Sequence, residues 1–114
     1  MATRHFDRNK DLSEKVSFLI GAGASVKYIA DKAVTIKHIS FYNQSGSAFT
    51  SAASVDNAGS TVVLSSATLA ANTPEEKEDG DLSNTSVADG AIITLAAGDM
   101  PTAIVVTFVP DFTA

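Results

Sequence analysis

Two histidines, His5 and His38, are the side chains best suited to acid–base or metal chemistry in this 114-residue sequence, which contains no cysteine. Zinc sites use three or four ligands at characteristic spacings, and two separated histidines with scattered carboxylates do not match them. His5 lies in a polar N-terminal segment and His38 in a β-like run. A single histidine on a strand is more often packed or half-exposed than a catalytic base, and without cysteine or a ligand spacing we predict no metal site and no cofactor.

Serine and glycine are frequent, but their spacing does not build a nucleophile or phosphate site. Residues 21–25 (Gly-Ala-Gly-Ala-Ser) lack the second flanking glycine of a nucleophile elbow. A dinucleotide-binding fingerprint would require glycine where Val26 stands, and β-like sequence follows instead of a helix. This segment is therefore interpreted as a hinge between two strands.

Five carboxylates fall within residues 74–81 (Pro-Glu-Glu-Lys-Glu-Asp-Gly-Asp), a density that suggests calcium binding. The order of an EF-hand loop is missing, however, and Lys77 interrupts the run. We predict a solvated surface loop here. Paired carboxylates of glycosidases also need a cleft with aromatic side chains. With no tryptophan, and only Tyr28 and Tyr42 as tyrosines, the sequence predicts no enzyme.

The charge of the chain is unevenly distributed. Residues 1–37 hold seven of the eight basic residues beside four acidic ones, whereas residues 38–114 hold one basic and nine acidic residues. The net charge of −5 argues against a nucleic-acid partner, because neutralising phosphates requires an excess of Lys and Arg. The polar N-terminus has no apolar core of a secretory signal, and no apolar stretch approaches the ~18 residues of a membrane span.

Alternating apolar residues and turn residues predict an all-β protein. With 45% hydrophobic residues, the chain can bury one core. We predict about eight short strands in an antiparallel β-sandwich, jelly-roll-like, or a small barrel, with residues 1–12 as an extended arm and 13–114 as one domain. The predicted strands are 14–20, 25–30, 33–43, 47–55, 61–69, 82–87, 91–95 and 103–109.

The longest predicted strand changes phase. Val34 and Ile36 share one face, whereas Ile39 and Phe41 share the other, which predicts a bulge near His38 or a strand buried on both sides. Gly98 is expected to need a positive φ in its turn. The predicted core comprises Val16, Phe18, Ile36, Ile39, Phe41, Val62, Leu64, Ile93, Leu95, Ile104, Val106 and Phe108.

Three segments carry a resemblance to a known family: 33–43, ending in Ser-Phe-Tyr-Asn, 93–99 (Ile-Thr-Leu-Ala-Ala-Gly-Asp) and 104–110 (Ile-Val-Val-Thr-Phe-Val-Pro). Over roughly residues 32–110 the chain resembles small virion proteins of tailed bacteriophages. The resemblance implies a jelly-roll or related sandwich on the capsid exterior, made in the host cytoplasm. It also implies a decoration (cement) protein that sits as a homotrimer over junctions between major capsid subunits.

The basic N-terminal arm and the apolar C-terminus are the predicted contacts with the major capsid protein. They contribute Arg4, Phe6, Arg8, Lys10 and Phe112. No membrane, nucleic acid or small-molecule substrate is expected as a partner.

Two further interpretations remain open. One is a receptor- or glycan-binding module of a phage fibre that uses loops at one end of the sandwich, such as 43–47, 56–60 and 74–81. The other is a structural component of the tail or connector, which would form rings.

Overall fold

A computed structural model describes residues 14–110, and these residues form an all-β sandwich of two antiparallel sheets. The strands are β1 (Glu14–Ile20), β2 (Ser25–Ile29), β3 (Val34–Asn43), β4 (Ser54–Asn57), β5 (Ser60–Leu64), β6 (Pro74–Glu78), β7 (Ser86–Val87), β8 (Ile92–Ala96) and β9 (Thr102–Pro110). One 3₁₀ turn, Asp79–Asp81, follows β6. Within the same residues no helix is long and apolar enough to span a membrane.

The two sheets differ in width. The wide sheet has the order β1-β9-β3-β6, and β7 pairs with a second stretch of β3; the narrow sheet has the order β2-β8-β4-β5. The chain passes repeatedly from one sheet to the other, so most strands pair with strands distant in sequence; β5 is the exception, since it pairs with β4, the strand before it. The sandwich predicted from sequence is confirmed, with nine strands where about eight were expected.

The core lies between the inner faces of the two sheets. Nine of the predicted core residues are buried there: Ile36, Ile39, Phe41, Val62, Ile93, Leu95, Ile104, Val106 and Phe108. Val16 and Phe18 are partly buried against this cluster, and the rings of Tyr28 and Phe108 stack with their centroids 5.5 Å apart. Leu64 is the exception, because its side chain is 53% exposed.

A bulge in β3 explains the change of phase in the longest strand. The register with β9 skips between Ile36 and His38, so Lys37 is the extra residue. Because one residue is inserted, the apolar positions before and after Lys37 all face the core. The predicted bulge is confirmed.

A second bulge, in β5, explains why Leu64 is not in the core. The pairing of β4 with β5 is irregular between Val55 and Asp56, and Val62 is the residue without a register partner. Val62 and Val63 are consequently both buried, and the alternation is displaced by one residue. Leu64 therefore faces solvent, and its predicted place in the core is wrong.

Several predicted boundaries are also wrong. Residues 74–78 of the expected acidic loop form strand β6, which pairs with β3. Strand structure begins only at Ser54 in the segment predicted as 47–55, and β5 ends at Leu64 instead of residue 69. In the segment 82–87 only Ser86 and Val87 are strand. The last three of these stretches are rich in threonine, serine and alanine, and such residues occur in loops packed on a sandwich as readily as in strands.

Candidate functional site

The outer face of the wide sheet is a solvent-facing surface on which side chains from four strands stand in regular rows. Directly opposed residues of antiparallel strands point to the same side, so the register arranges this face in rows across β1, β9, β3 and β6. We name an apolar row (Leu19, Ala103, Tyr42, Pro74), a central row (Ser17, Val105, Ser40, Glu76) and an ionic row (Lys15, Thr107, His38, Glu78).

The apolar row exposes large side chains to solvent. Leu19 is 66% exposed and Tyr42 is 37% exposed. Ala103 lies between them on β9 and is paired with both, and Pro74 continues the row on β6. In the adjacent row, Val105 adds a half-buried aliphatic side chain. The row is thus a continuous apolar strip across four strands.

The opposite end of this face brings an imidazole and two carboxylates together. His38 is paired with Glu78 across the β3–β6 ladder, and its Nε2 lies 3.3 Å from Oε1 of Glu76. One ligand atom from each of these three residues lies within 4.8 Å of the other two. Sequence reasoning missed this cluster because it treated residues 74–81 as a loop, although glutamates two residues apart would share one face of a strand.

The alternation along β6 separates its charged side chains. Glu75 and Lys77 point to the other side of the sheet, where their Oε2 and Nζ atoms form a sheltered ion pair at 3.0 Å. Glu75 also accepts a hydrogen bond from the Ser66 backbone N–H at 2.7 Å. Lys77 is therefore occupied away from the outer face, and the carboxylates beside His38 are not neutralised by it.

The first and last described residues, Glu14 and Pro110, lie near the ionic row. Glu14, the first residue of β1, is paired with Phe108, and Pro110, the last residue of β9, is paired with Val34. Glu14 also accepts a hydrogen bond from Lys32 Nζ at 2.8 Å, which raises the pKa of that lysine despite partial loss of its hydration. The predicted capsid contacts Arg4, Phe6, Arg8, Lys10 and Phe112 lie outside the described residues.

At the other end of the sandwich, three connections between the sheets meet at Gly98 and Asp99. The carbonyl of Gly98, between β8 and β9, accepts a hydrogen bond at 2.8 Å from the N–H of Gly23, between β1 and β2. Asp99 accepts hydrogen bonds from the hydroxyl of Thr50 and from the backbone N–H groups of Thr50 and Ser51, which lie between β3 and β4. These bonds, the hydroxyl first, hold the pKa of Asp99 below its ordinary value.

Gly98 is required for a different reason from the one predicted. Its φ is not positive; the glycines with positive φ in the described chain are Gly23, Gly59 and Gly90. A Cβ atom on Gly98 would overlap the carbonyl oxygen of Ser51 and lie 2.7 Å from its carbon. Close approach of two backbones therefore explains the glycine.

Two of the loops proposed for glycan binding lie at opposite ends of the sandwich. Loop 43–47 follows Asn43 of β3, close to Asn72, whose N–H donates to the Ser45 carbonyl at 3.2 Å. The turn at 58–59 follows β4 at its other end, where the N–H of Ala58 donates to the Ile92 carbonyl at 2.9 Å. Residues 74–78 form a strand between these ends, so the three segments do not build one loop surface.

Comparisons with known proteins place the chain in no family. No family model matches it, and no curated protein matches it. Among solved structures, it is similar to a carbohydrate-binding module described as CBM36 in complex with calcium and xylotriose. The two are 20% identical with a TM-score of 0.49, and the match covers 84% of this chain and 85% of the other.

Proposed function

We propose that this protein is a structural, non-catalytic virion component that binds the outside of a phage capsid and stabilises the shell. The phage shell as partner rests on the resemblance of residues 32–110 to small tailed-phage virion proteins. The observation that carries the proposal is the apolar row on the outer face of the wide sheet.

The exposed apolar side chains of the row favour another protein as the binding partner. Four strands present Leu19, Ala103, Tyr42 and Pro74 side by side on one face, and the serines of the central row, Ser17 and Ser40, leave room beside Leu19 and Tyr42 for a partner. A contiguous apolar strip bordered by polar residues is typical of protein interaction sites. Burying Leu19 and Tyr42 against a partner would remove the largest exposed apolar side chains of this face from water.

The outer face of the wide sheet is too small to form a stable protein interface without further contacts. Four strands and the seven residues of β1 span roughly 19 Å by 23 Å at ordinary strand spacing and rise. A stable protein interface buries about 800 Å² on each partner, which is more than this planar area. The arm residues Arg4, Phe6, Arg8 and Lys10, together with Phe112, would supply additional area, and a homotrimer would multiply the contacts.

A glycan-binding module is the competing function. Tyr42 is an exposed aromatic ring beside loop 43–47, and a sugar ring could stack on it. Its neighbours in the row, Ala103 and Pro74, are aliphatic, however, and the 56–60 turn of that hypothesis lies at the other end of the sandwich. The arrangement around Tyr42 is thus better suited to an extended protein contact than to a sugar pocket, which has convergent polar groups.

The test is cosedimentation with empty shells assembled from the major capsid protein of the virus that encodes this chain. Leu19→Lys places a charge in the apolar row and should weaken shell binding at least about tenfold. Ile29→Lys is the matched control, because Ile29 is 64% exposed on the outer face of the narrow sheet and receives the same charge. The control should bind like the wild type.

Light scattering across a concentration series accompanies this measurement. A mass near three times 11.8 kDa would support the homotrimer. Failure of the wild type to bind shells would reject the decoration function, and equal losses in both variants would reject the apolar row as its docking surface. Binding to a glycan array that is abolished by Tyr42→Ala would favour the competing function instead.

A further inference from the structure

The cluster formed by His38, Glu76 and Glu78 has the geometry of an incomplete metal shell. The three residues stand on adjacent paired strands, so the ladder of β3 and β6 fixes their backbones. Two ligands of a tetrahedral ion stand about 3.3 Å apart when metal–ligand distances are about 2.0–2.1 Å. His38 Nε2 and Glu76 Oε1 are already 3.3 Å apart, and the widest separation in the cluster is below 4.8 Å.

The ligand chemistry selects the class of ion. An imidazole nitrogen with two carboxylates suits Zn²⁺ and its neighbours in the first transition series, which accept mixed nitrogen and oxygen ligands. Calcium prefers six to eight oxygen ligands, and magnesium rarely uses imidazole. Two carboxylates also balance the double positive charge of the ion.

Among the described residues, neither carboxylate beside His38 forms a salt bridge with a lysine. The cross-strand neighbour of His38 on β9 is Thr107, a neutral residue, and Lys15 stands beyond it on β1. Lys37 lies 3.5 Å from Asp79 through Nζ, and Lys77 is engaged with Glu75 on the other side of the sheet. In the described part of the chain, the carboxylate of Glu76 pairs with His38 alone, and this contact is a salt bridge only when His38 carries a proton.

We infer that His38, Glu76 and Glu78 bind one zinc-class divalent cation on the outer face of the wide sheet. The ion joins the edge strand β6 to β3 through two ligands on the first and one on the second. Three protein ligands leave coordination positions for water or for a side chain of a docking partner. The site shares the outer face with the apolar row but uses none of its residues, so zinc binding is measured separately from the proposed shell binding.

The experiment is a titration of the untagged protein with zinc chloride. Isothermal calorimetry measures the affinity and stoichiometry, and thermal unfolding measures the stabilisation. The expected stoichiometry is one ion per chain, and the melting temperature should rise by about 10 °C when free zinc is 100 times its dissociation constant. His38→Asn and Glu78→Gln should each weaken binding at least about tenfold and remove the corresponding thermal shift. Calcium chloride at the same concentrations should produce no saturable heat.

Two substitutions serve as matched controls. His5→Asn removes the other imidazole of the chain, and Asp89→Asn removes one negative charge at an exposed turn. Both should retain the wild-type affinity for zinc. The site is rejected if the wild type binds no zinc at millimolar concentration, if His38→Asn and Glu78→Gln both bind zinc like the wild type, or if calcium binds more tightly than zinc. Because Glu78 is exposed on an edge strand, its variant keeps the test valid even where the His38 variant folds poorly.

Discussion

The outer faces of the two sheets differ in how their apolar residues are arranged. On the wide sheet, Leu19 and Tyr42 belong to one row that continues across four strands. On the narrow sheet, Ile29 and Ile92 are paired at one end, whereas Leu64 lies at the other. Between these corners runs a polar row of Lys27, Thr94, Asp56 and Thr61, in which Lys27 Nζ lies 3.5 Å from Thr94 Oγ1.

The register of the strands accounts for this difference. In the wide sheet the bulge at Lys37 lies beyond the paired rows, so the ladder from β1 to β6 is regular wherever the apolar row crosses it. In the narrow sheet β4 has four residues, and the irregularity beside Val62 falls within its pairing with β5. Similar numbers of exposed apolar residues therefore form a strip on one sheet and isolated corners on the other.

The largest expected effect concerns the junction at Gly98 and Asp99, and it tests whether this junction holds the two sheets together. Gly98→Val would force a Cβ and two methyl groups into the backbone of Ser51, so we expect the free energy of unfolding to fall by about 3 kcal/mol or more. Urea unfolding followed by far-ultraviolet circular dichroism measures this change. Because three connections between the sheets meet at Gly98 and Asp99, both sheets should unfold in one weakened transition.

Gly21→Val is the control for that substitution. Gly21 lies in the neighbouring connection, its φ is not in the left-handed region, and nothing lies within 4 Å of a Cβ placed on it. The control should stay within about 0.5 kcal/mol of the wild type. If Gly98→Val left the unfolding midpoint unchanged, or if the two sheets unfolded in separate transitions, the proposed role of the junction in holding the sheets together would be wrong.

A smaller effect is expected from the carboxylate at the same junction. Hydrogen bonds from Thr50 and Ser51 lower the pKa of Asp99 in the folded state, so its ionised form contributes stability above the unfolded pKa of about 3.9. That contribution is lost as the pH falls through the lower pKa of the folded state. Asp99→Asn should therefore be less stable than the wild type at neutral pH, and the difference should shrink below about pH 4.

Unfolding curves of the two proteins at a series of pH values from 7 to 3 measure this difference. Asp89→Asn, which removes a carboxylate from an exposed turn, controls for the change in net charge. A gap between Asp99→Asn and the wild type that stays constant across the series would show that the hydrogen bonds to Thr50 and Ser51 do not favour the ionised form.

The alternation of apolar residues was sufficient to predict the sandwich and most of its core. Long strands such as β1 and β9 repeat their pattern over seven and nine residues, so the period is unambiguous. It also showed the change of phase in β3, which a bulge or a strand buried on both sides would explain, and the register with β9 selects the bulge.

The alternation of apolar residues was not sufficient to predict the two candidate sites, the apolar row and the cluster around His38. Residues 74–78 carry three glutamates and a lysine, which by composition favour a loop, and only pairing with β3 makes them a strand. Without that pairing, nothing in the sequence places Glu78 opposite His38. The apolar row likewise depends on a register among four strands, which the spacing along any one strand does not specify.

The smallest expected effect concerns Leu64, where the local pattern and the structure disagree. Alternation assigns Val62 and Leu64 to the same buried face, whereas the bulge buries Val62 and leaves Leu64 53% exposed on the outer face of the narrow sheet. Leu64→Thr should change the free energy of unfolding by less than about 0.5 kcal/mol, since threonine suits an exposed strand position. Val62→Thr should cost about 1–3 kcal/mol, because it buries a hydroxyl group. Urea titration of both variants distinguishes the two arrangements: equal losses would restore Leu64 to the core and remove the bulge, and with it the reason that the narrow sheet presents corners where the wide sheet presents a strip.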